Sequence, residues 1–130
     1  MKKKILLVMH RKILSDALIA QTATNASFEL TAEKNYATAA LTAEALLPGV
    51  AIVEIPESGS WKSSEKCLAI CDAIRRQTPG CKQVILCSEN DADSLRAVVQ
   101  AKREQRIDDF LFYDSSINYL MSKLEALTED

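Results

Sequence analysis

Residues 50–55 read VAIVEI, an apolar run that is broken by a single acid, Glu54. Two more runs of the same character occur at residues 5–9, ILLVM, and at residues 83–87, QVILC. Near-continuous apolar runs of this length are typical of strands that are covered on both faces of a sheet. Two weaker runs, at residues 28–32 and 110–113, bring the predicted strands to five.

The segments between these runs carry apolar residues at helical spacing. The stripes of the third and the last segment are Cys67, Ile70, Cys71, Ile74, Ile117, Leu120, Met121, Leu124 and Leu127. Ser115 or Ser116 can cap the last helix. Strict alternation of strands and helices predicts an α/β fold, a doubly wound parallel sheet of five strands with helices on both faces.

The composition indicates an ordinary globular protein. The chain has 130 residues, of which 48% are hydrophobic and 26% charged, and a formal net charge of −2. We expect one domain spanning residues 1–130, and the slight acidity argues against binding of a nucleic-acid backbone. No run approaches the ~18 apolar residues of a membrane span, and residues 5–9 are too few for a signal peptide. We therefore expect a cytoplasmic protein.

The four cysteines are Cys67, Cys71, Cys81 and Cys87. They form no CxxC pair, and the only histidine, His10, is distant in sequence, so zinc-ligand spacing is absent. We expect reduced thiols in the core. A redox sensor is the alternative, but it would need exposed thiols with a lowered pKa, whereas Cys67 and Cys71 share a stripe with two isoleucines.

In a doubly wound sheet the functional crevice lies beyond the carboxyl ends of the strands. The segments that follow the predicted strands, and that we expect to line this crevice, are residues 9–11, 54–61, 87–89 and 113–114. Residues 9–15 contain no glycine and a single hydroxyl, so a backbone cradle for phosphate is poorly supported there.

Four stretches resemble response-regulator receiver domains of two-component signalling, and the resemblance covers essentially the whole chain. They are residues 10–18, 48–55, 71–79 and 106–111. The resemblance implies a flavodoxin-like (βα)5 fold with strand order 2-1-3-4-5. The 44 positions from His10 to Glu54 are close to the separation that receivers keep between their acidic pair and their phosphoacceptor.

The residues that would carry phosphoryl chemistry depart from the receiver pattern. The resemblance implies that Met9 and His10 replace the acidic pair that holds Mg²⁺, and that Glu54 replaces the phosphoacceptor Asp. The Thr/Ser position, the Lys position and the aromatic-switch position are, respectively, Cys87–Ser88, Tyr113 and Phe110. The chain therefore resembles a degenerate receiver, or pseudo-receiver, that keeps Ser88 and a lengthened carboxylate as remnants.

These replacements predict a loss of phosphotransfer. Mg²⁺ prefers carboxylate oxygens, whereas Met9 offers none and His10 offers nitrogen, so we expect lost or weak Mg²⁺ binding, no other cofactor and no catalytic residue. Without the metal, a phosphoryl group on Glu54 would lack charge neutralisation. Glu54 also extends its carboxylate about 1 Å further than Asp, which can cost ~10²-fold in rate. It is either a fixed negative charge that mimics activation or a solvated strand-end acid.

We therefore expect a regulatory module that is not an enzyme and that acts by protein–protein interaction, as in the N-terminal part of a transcriptional regulator. The resemblance implies a histidine kinase, an output domain or a second copy as partner, through the face of the fourth helix, fifth strand and fifth helix. Residues 102–106 extend the exit from the fourth helix on this face.

The sequence leaves open the role of Trp61 and two alternative functions. Trp61 either anchors a partner or packs over the crevice mouth. One alternative function is a phosphoacceptor receiver that uses a carboxylate near Glu54, such as Glu57. The other alternative, suggested by the fold class alone, is a flavodoxin-like nucleotide binder.

Overall fold

Strands and helices alternate along residues 2–25 and 27–129, which are the residues described by a computed structural model. The strands are β1 (Lys3–Val8), β2 (Phe28–Glu33), β3 (Val50–Glu54), β4 (Lys82–Cys87) and β5 (Asp109–Phe112). The helices are α1 (Lys12–Thr22), α2 (Ala39–Leu46), α3 (Ser64–Gln77), α4 (Ala92–Arg103) and α5 (Ile117–Thr128). A short 3-10 turn, Tyr36–Thr38, precedes α2.

The five strands form one parallel sheet in the order β2-β1-β3-β4-β5, which confirms the predicted order. Three strands end one residue earlier than predicted, at Val8, Glu54 and Phe112. The chain leaves the ladder gradually there, since the Ile55 amide still donates to the Leu86 carbonyl at 2.8 Å. The carboxyl ends of the strands consequently lie along one edge, where the crevice is expected.

Alternate residues of the central strands enter two cores, which explains their uninterrupted apolar sequence. One core includes Leu18 from α1 with Leu120 and Leu124 from α5. The other lies on the opposite face of the sheet, beneath α2, α3 and α4. There the predicted stripe of α3 is buried: Cys67, Ile70, Cys71 and Ile74.

All four cysteines are buried free thiols, as predicted. Burial raises the pKa of Cys67 to about 12 and the pKa values of Cys81 and Cys87 to about 11, and it also raises the pKa of Cys71. The thiols therefore stay protonated at neutral pH, which does not favour a redox sensor.

The structure defines the start of α5 and the end of α4, which the sequence left open. Of the two serines named as caps, Ser116 caps α5, because its Oγ accepts a hydrogen bond from the Tyr119 amide at 3.1 Å. α4 ends at Arg103, so most of residues 102–106 form an exit turn, in which Gln105 has a φ of 62°. None of the helices in the described residues is long and apolar enough to cross a bilayer.

Candidate functional site

The acid at the end of β3 points into the protein. Glu54 is fully buried, and its Oε1 accepts hydrogen bonds from the backbone amides of His10 (2.6 Å) and Arg11 (3.0 Å). Both amides precede α1, so the carboxylate lies at the positive end of that helix dipole. The interpretation of Glu54 as a solvated strand-end acid is therefore wrong. Its carboxylate is directed to the loop after β1.

Arg11 brings a cation to this carboxylate. Its Nε lies 3.6 Å from Glu54 Oε2, a buried oxygen that accepts no hydrogen bond from the described residues. The guanidinium also pairs with the exposed carboxylate of Glu57 and lies over the Tyr113 ring, 4.2 Å from its centroid. One side chain thus joins the loops after β1, β3 and β5. In the sequence, this contact of Arg11 is indicated only by its position directly after Met9 and His10.

Two phenol groups fix the backbone at the end of β3. The Tyr36 hydroxyl donates to the Glu54 carbonyl at 2.6 Å, and the Tyr113 hydroxyl donates to the Ile55 carbonyl. Burial, reinforced by the negative charge of Glu54, raises the pKa of both phenols, so both remain donors at neutral pH. Tyr113 therefore does more than fill the space of a missing lysine. Tyr36 was not predicted as a site residue, because nothing local in its turn points to β3.

No protein-family model matches the chain, and no curated protein matches it. Solved structures do match. A LuxR-family DNA-binding response regulator from Staphylococcus aureus is 18% identical, with 98% of this chain and 99% of that chain covered and a TM-score of 0.76. A CheY-like response regulator receiver domain protein from Methanospirillum hungatei is 15% identical, with 98% and 94% covered and a TM-score of 0.74. The fold is that of a response-regulator receiver domain.

The receiver fold is not confined to response regulators among these matches. An adenylate cyclase from Rhodopirellula baltica is 19% identical, with 98% of this chain and 87% of that chain covered and a TM-score of 0.81. At such identities the likeness establishes the fold alone. The predicted flavodoxin-like receiver fold is confirmed, and the function has to be argued from the residues of the site.

The two residues at the receiver's acidic-pair positions behave differently. The Met9 side chain is 1% exposed and lies in the core that α1 and α5 cover, so it is directed away from the crevice. His10 is an exposed residue that reaches Glu54 through its backbone amide. The Met9 side chain thus lies outside the crevice, and the contact of His10 with Glu54 is made by its backbone.

At the end of β4, only one of the two candidates for the receiver's hydroxyl position faces the crevice. Cys87 is fully buried in the core beneath α3 and α4. Ser88 is half-buried, lines the crevice, and accepts a hydrogen bond from the Asn90 amide at 3.2 Å. Ser88 is thus the receiver-like hydroxyl of this chain.

The receiver's aromatic-switch position, Phe110, is a half-buried residue of β5. Its ring contacts the Phe112 ring edge to face, with centroids 5.9 Å apart, and Lys102 Nζ lies 5.7 Å from its centroid. This packing suits an ordinary strand aromatic. The switch role stays a prediction.

Trp61 lies beside the helices instead of over the crevice mouth. Its ring stacks on Tyr36 with centroids 5.4 Å apart, and it borders a groove between α2 and α3. Because the Tyr36 hydroxyl donates to the Glu54 carbonyl, Tyr36 connects Trp61 to the buried end of β3.

A cavity of about 360 Å³ remains at the crevice of this receiver fold. Its lining includes Glu57, Lys62, Ser88, Asp91 and Asp93. Within the described ranges, no three His, Cys, Asp or Glu side chains converge as metal ligands. The polar side chains of the crevice are thus a hydroxyl, a lysine, the Asn90 amide and three carboxylates, while the Glu54 carboxylate is bonded to the loop after β1.

Proposed function

We propose that this chain is a receiver-like signalling module that works without phosphorylation and acts by binding other proteins. The observation that carries the proposal is the engagement of Glu54 by the His10 and Arg11 amides and by the Arg11 guanidinium. A phosphoacceptor must expose a carboxylate oxygen to the crevice. The Glu54 side chain is instead fully buried, and its Oε1 holds the β1 loop against β3.

The donor set is a poor fit to Mg²⁺. The metal requires an octahedron of oxygens, usually with one or two carboxylates. Here Glu54 Oε1 already accepts two amide protons, and the positive Arg11 Nε lies 3.6 Å from Oε2. A divalent cation at this place would meet the repulsion of the guanidinium. Phosphoryl transfer without the metal would lose most of the electrostatic stabilisation that such reactions use.

We infer that Glu54 acts as an internal brace and not as a mimic of a phosphorylated acceptor. Arg11 offsets the charge of Glu54, and the buried carboxylate presents no charge to a partner. The Tyr36 hydroxyl donates to the backbone carbonyl of Glu54, and the Tyr113 hydroxyl donates to that of Ile55. The loops at the crevice are thereby fixed in one arrangement, as expected of a module that binds through a constant surface.

For partners, we propose a kinase or an output domain that contacts the face of α4, β5 and α5. An ion network supports this face: Asp109 accepts from Lys102 on α4 at 3.0 Å and from Lys123 on α5 at 2.8 Å. The network fixes both helices relative to the edge strand. We propose that the protein works in the cytoplasm, that this domain binds neither nucleic acid nor membrane, and that it is not an enzyme.

The two alternative functions have little support in the crevice. Glu57 as an acceptor would first have to leave its ion pair with Arg11. For a nucleotide binder, the first loop would need backbone amides free to hold phosphate, and the amides of His10 and Arg11 are bonded to Glu54.

A magnesium titration tests the proposal. In ¹H–¹⁵N NMR spectra, we expect the amide signals of His10, Arg11 and Ser88 to show no saturable shift up to millimolar Mg²⁺. The reason is that the Arg11 guanidinium already lies beside the Glu54 carboxylate, where the metal would have to bind. The signal of Glu29, an exposed acid near the amino end of the sheet, serves as the control for weak, non-saturating effects. A saturable shift of the His10 and Arg11 amides would mean that Mg²⁺ displaces the brace, and the proposal would be abandoned.

A further inference from the structure

The outward face of α2 is apolar and exposed. The helix reads AALTAEAL and is followed by Leu47. Leu41 is 66% exposed and Leu47, which caps the helix, is 68% exposed, so two of the four large exposed hydrophobic residues of the described chain lie at α2 and its end. Exposed apolar side chains that border a groove are candidates for a binding surface.

A groove lies directly beside this face, between α2 and α3. It has a volume of about 370 Å³ and is apolar except for one amine, that of Lys66. Alanines from the two helices and from the 3-10 turn form much of its lining: Ala37, Ala40, Ala69 and Ala73. Trp61, stacked on Tyr36, borders the groove. We call the exposed residues of α2, Leu47 and this groove together the α2–α3 patch.

The charges of the patch are divided between its two helices. α2 carries Glu44 and no lysine or arginine, and Glu44 forms no ion pair with any described residue. On α3, Lys66 lines the groove, where its Nζ donates to the Ser60 carbonyl at 3.1 Å and lies 5.7 Å from the centroid of the Trp61 ring. An occupant that satisfies the groove is therefore a helix with exposed aliphatic side chains and an acid, and α2 of a second copy has this composition.

We propose that the α2–α3 patch is a self-association surface, on which α2 of one copy packs into the groove of another. A two-fold dimer requires a surface that is complementary to itself. This patch supplies both the projecting side chain, Leu41, and the groove that receives it. It also supplies both charges, since Glu44 of each copy faces Lys66 of the other.

The backbone at Leu47 supports a use for its side chain. Leu47 has a φ of 55°, in the left-handed region where glycine or asparagine is usual at the end of a helix. A leucine is strained there and, in an isolated copy, is also exposed to water. Contact with a second copy would bury it. The net charge of only −2 also leaves little general repulsion between copies.

This dimer goes beyond the proposed signalling role and does not depend on it. It uses neither the crevice nor the face of α4, β5 and α5, so both remain open to other proteins. A magnesium response at the crevice would overturn the proposed function without affecting the dimer. A monomeric chain would overturn the dimer without affecting the proposed function.

A charge exchange between copies tests the proposal in the full chain. We expect the wild type to dimerise reversibly in sedimentation velocity, and Glu44→Lys and Lys66→Glu each to raise the dimer dissociation constant at least about tenfold. An equimolar mixture of the two variants should dimerise again, because each copy then meets an opposite charge at both contacts. Three results would overturn the proposal: a wild type that is monomeric up to millimolar concentration, single variants that dimerise as the wild type does, and a mixture that stays monomeric.

Two further variants separate this surface from the alternative one. Leu41→Glu should weaken the dimer at least about tenfold, whereas Tyr119→Glu on α5 should leave it unchanged. Both residues are exposed, so circular dichroism should show an intact fold in both variants. If Tyr119→Glu abolishes the dimer and Leu41→Glu does not, the copies associate through the face of α4, β5 and α5, and the α2–α3 patch is not the interface.

Discussion

Glu54→Ala is expected to lower the free energy of unfolding by roughly 2–4 kcal/mol. The substitution removes the acceptor of the His10 and Arg11 amides and leaves a void at the buried end of β3. Arg11 also loses its buried counter-charge and keeps only the exposed carboxylate of Glu57. Urea unfolding followed by circular dichroism measures the change.

Two matched variants separate the causes of that loss. Glu54→Gln keeps an oxygen that can accept the two amides and removes only the charge, so we expect a smaller loss of about 1 kcal/mol. Glu57→Gln removes the second carboxylate that pairs with Arg11. Because the Glu57 side chain is 55% exposed, this substitution should change the free energy of unfolding by less than about 0.5 kcal/mol. If Glu54→Ala is as mild as Glu57→Gln, Glu54 does not brace the crevice.

Restoring receiver residues at three positions is expected to produce phosphorylation that depends on Mg²⁺. The variant His10→Asp/Glu54→Asp/Tyr113→Lys supplies a metal-binding acid, an acceptor of receiver length and a cation for the phosphoryl oxygens. The shorter Asp also draws the acceptor away from Arg11, whose guanidinium keeps Glu57 as its partner and leaves the metal position. With a small-molecule phosphodonor, its phosphorylation should be at least about 10²-fold faster than that of the wild type. Met9 is left unchanged because it is buried in the core. Intact mass over time gives the rate.

The control for this gain is the double variant His10→Asp/Tyr113→Lys, which retains Glu54. It should stay unmodified, because the longer carboxylate still reaches the Arg11 amide. Circular dichroism identifies variants that have lost the fold. A folded triple variant that gains no phosphoryl group would show that these three positions are not what prevents the chemistry, and a phosphorylated double variant would show that Glu54 itself can accept.

The sheet could be predicted because its information is local. VAIVEI, ILLVM and QVILC are apolar except for Glu54 and Gln83, and the structure buries them between two layers of helices. The burial of Cys67 and Cys71 followed in the same way from helical spacing. Strand ends were placed one residue too late at three strands, because an apolar run does not show where hydrogen bonding stops.

The arrangement of the crevice could be predicted only in part. The position of Glu54 after β3 was identified from the sequence, but its burial was not, because the direction of a strand-end side chain depends on what the neighbouring loops offer. Arg11 and Tyr36 lie 43 and 18 positions from Glu54 and meet it only through the fold. Trp61 was placed near the crevice because of its loop, while its ring packs on Tyr36.

Mass spectrometry of the wild-type chain, after incubation with a small-molecule phosphodonor and millimolar Mg²⁺, tests the central claim most directly. The claim is that the Glu54 carboxylate is held by the His10 and Arg11 amides and is closed to phosphoryl chemistry. We expect an unchanged intact mass with and without Mg²⁺. A mass gain of one phosphoryl group that requires Mg²⁺ and disappears in Glu54→Gln would contradict it.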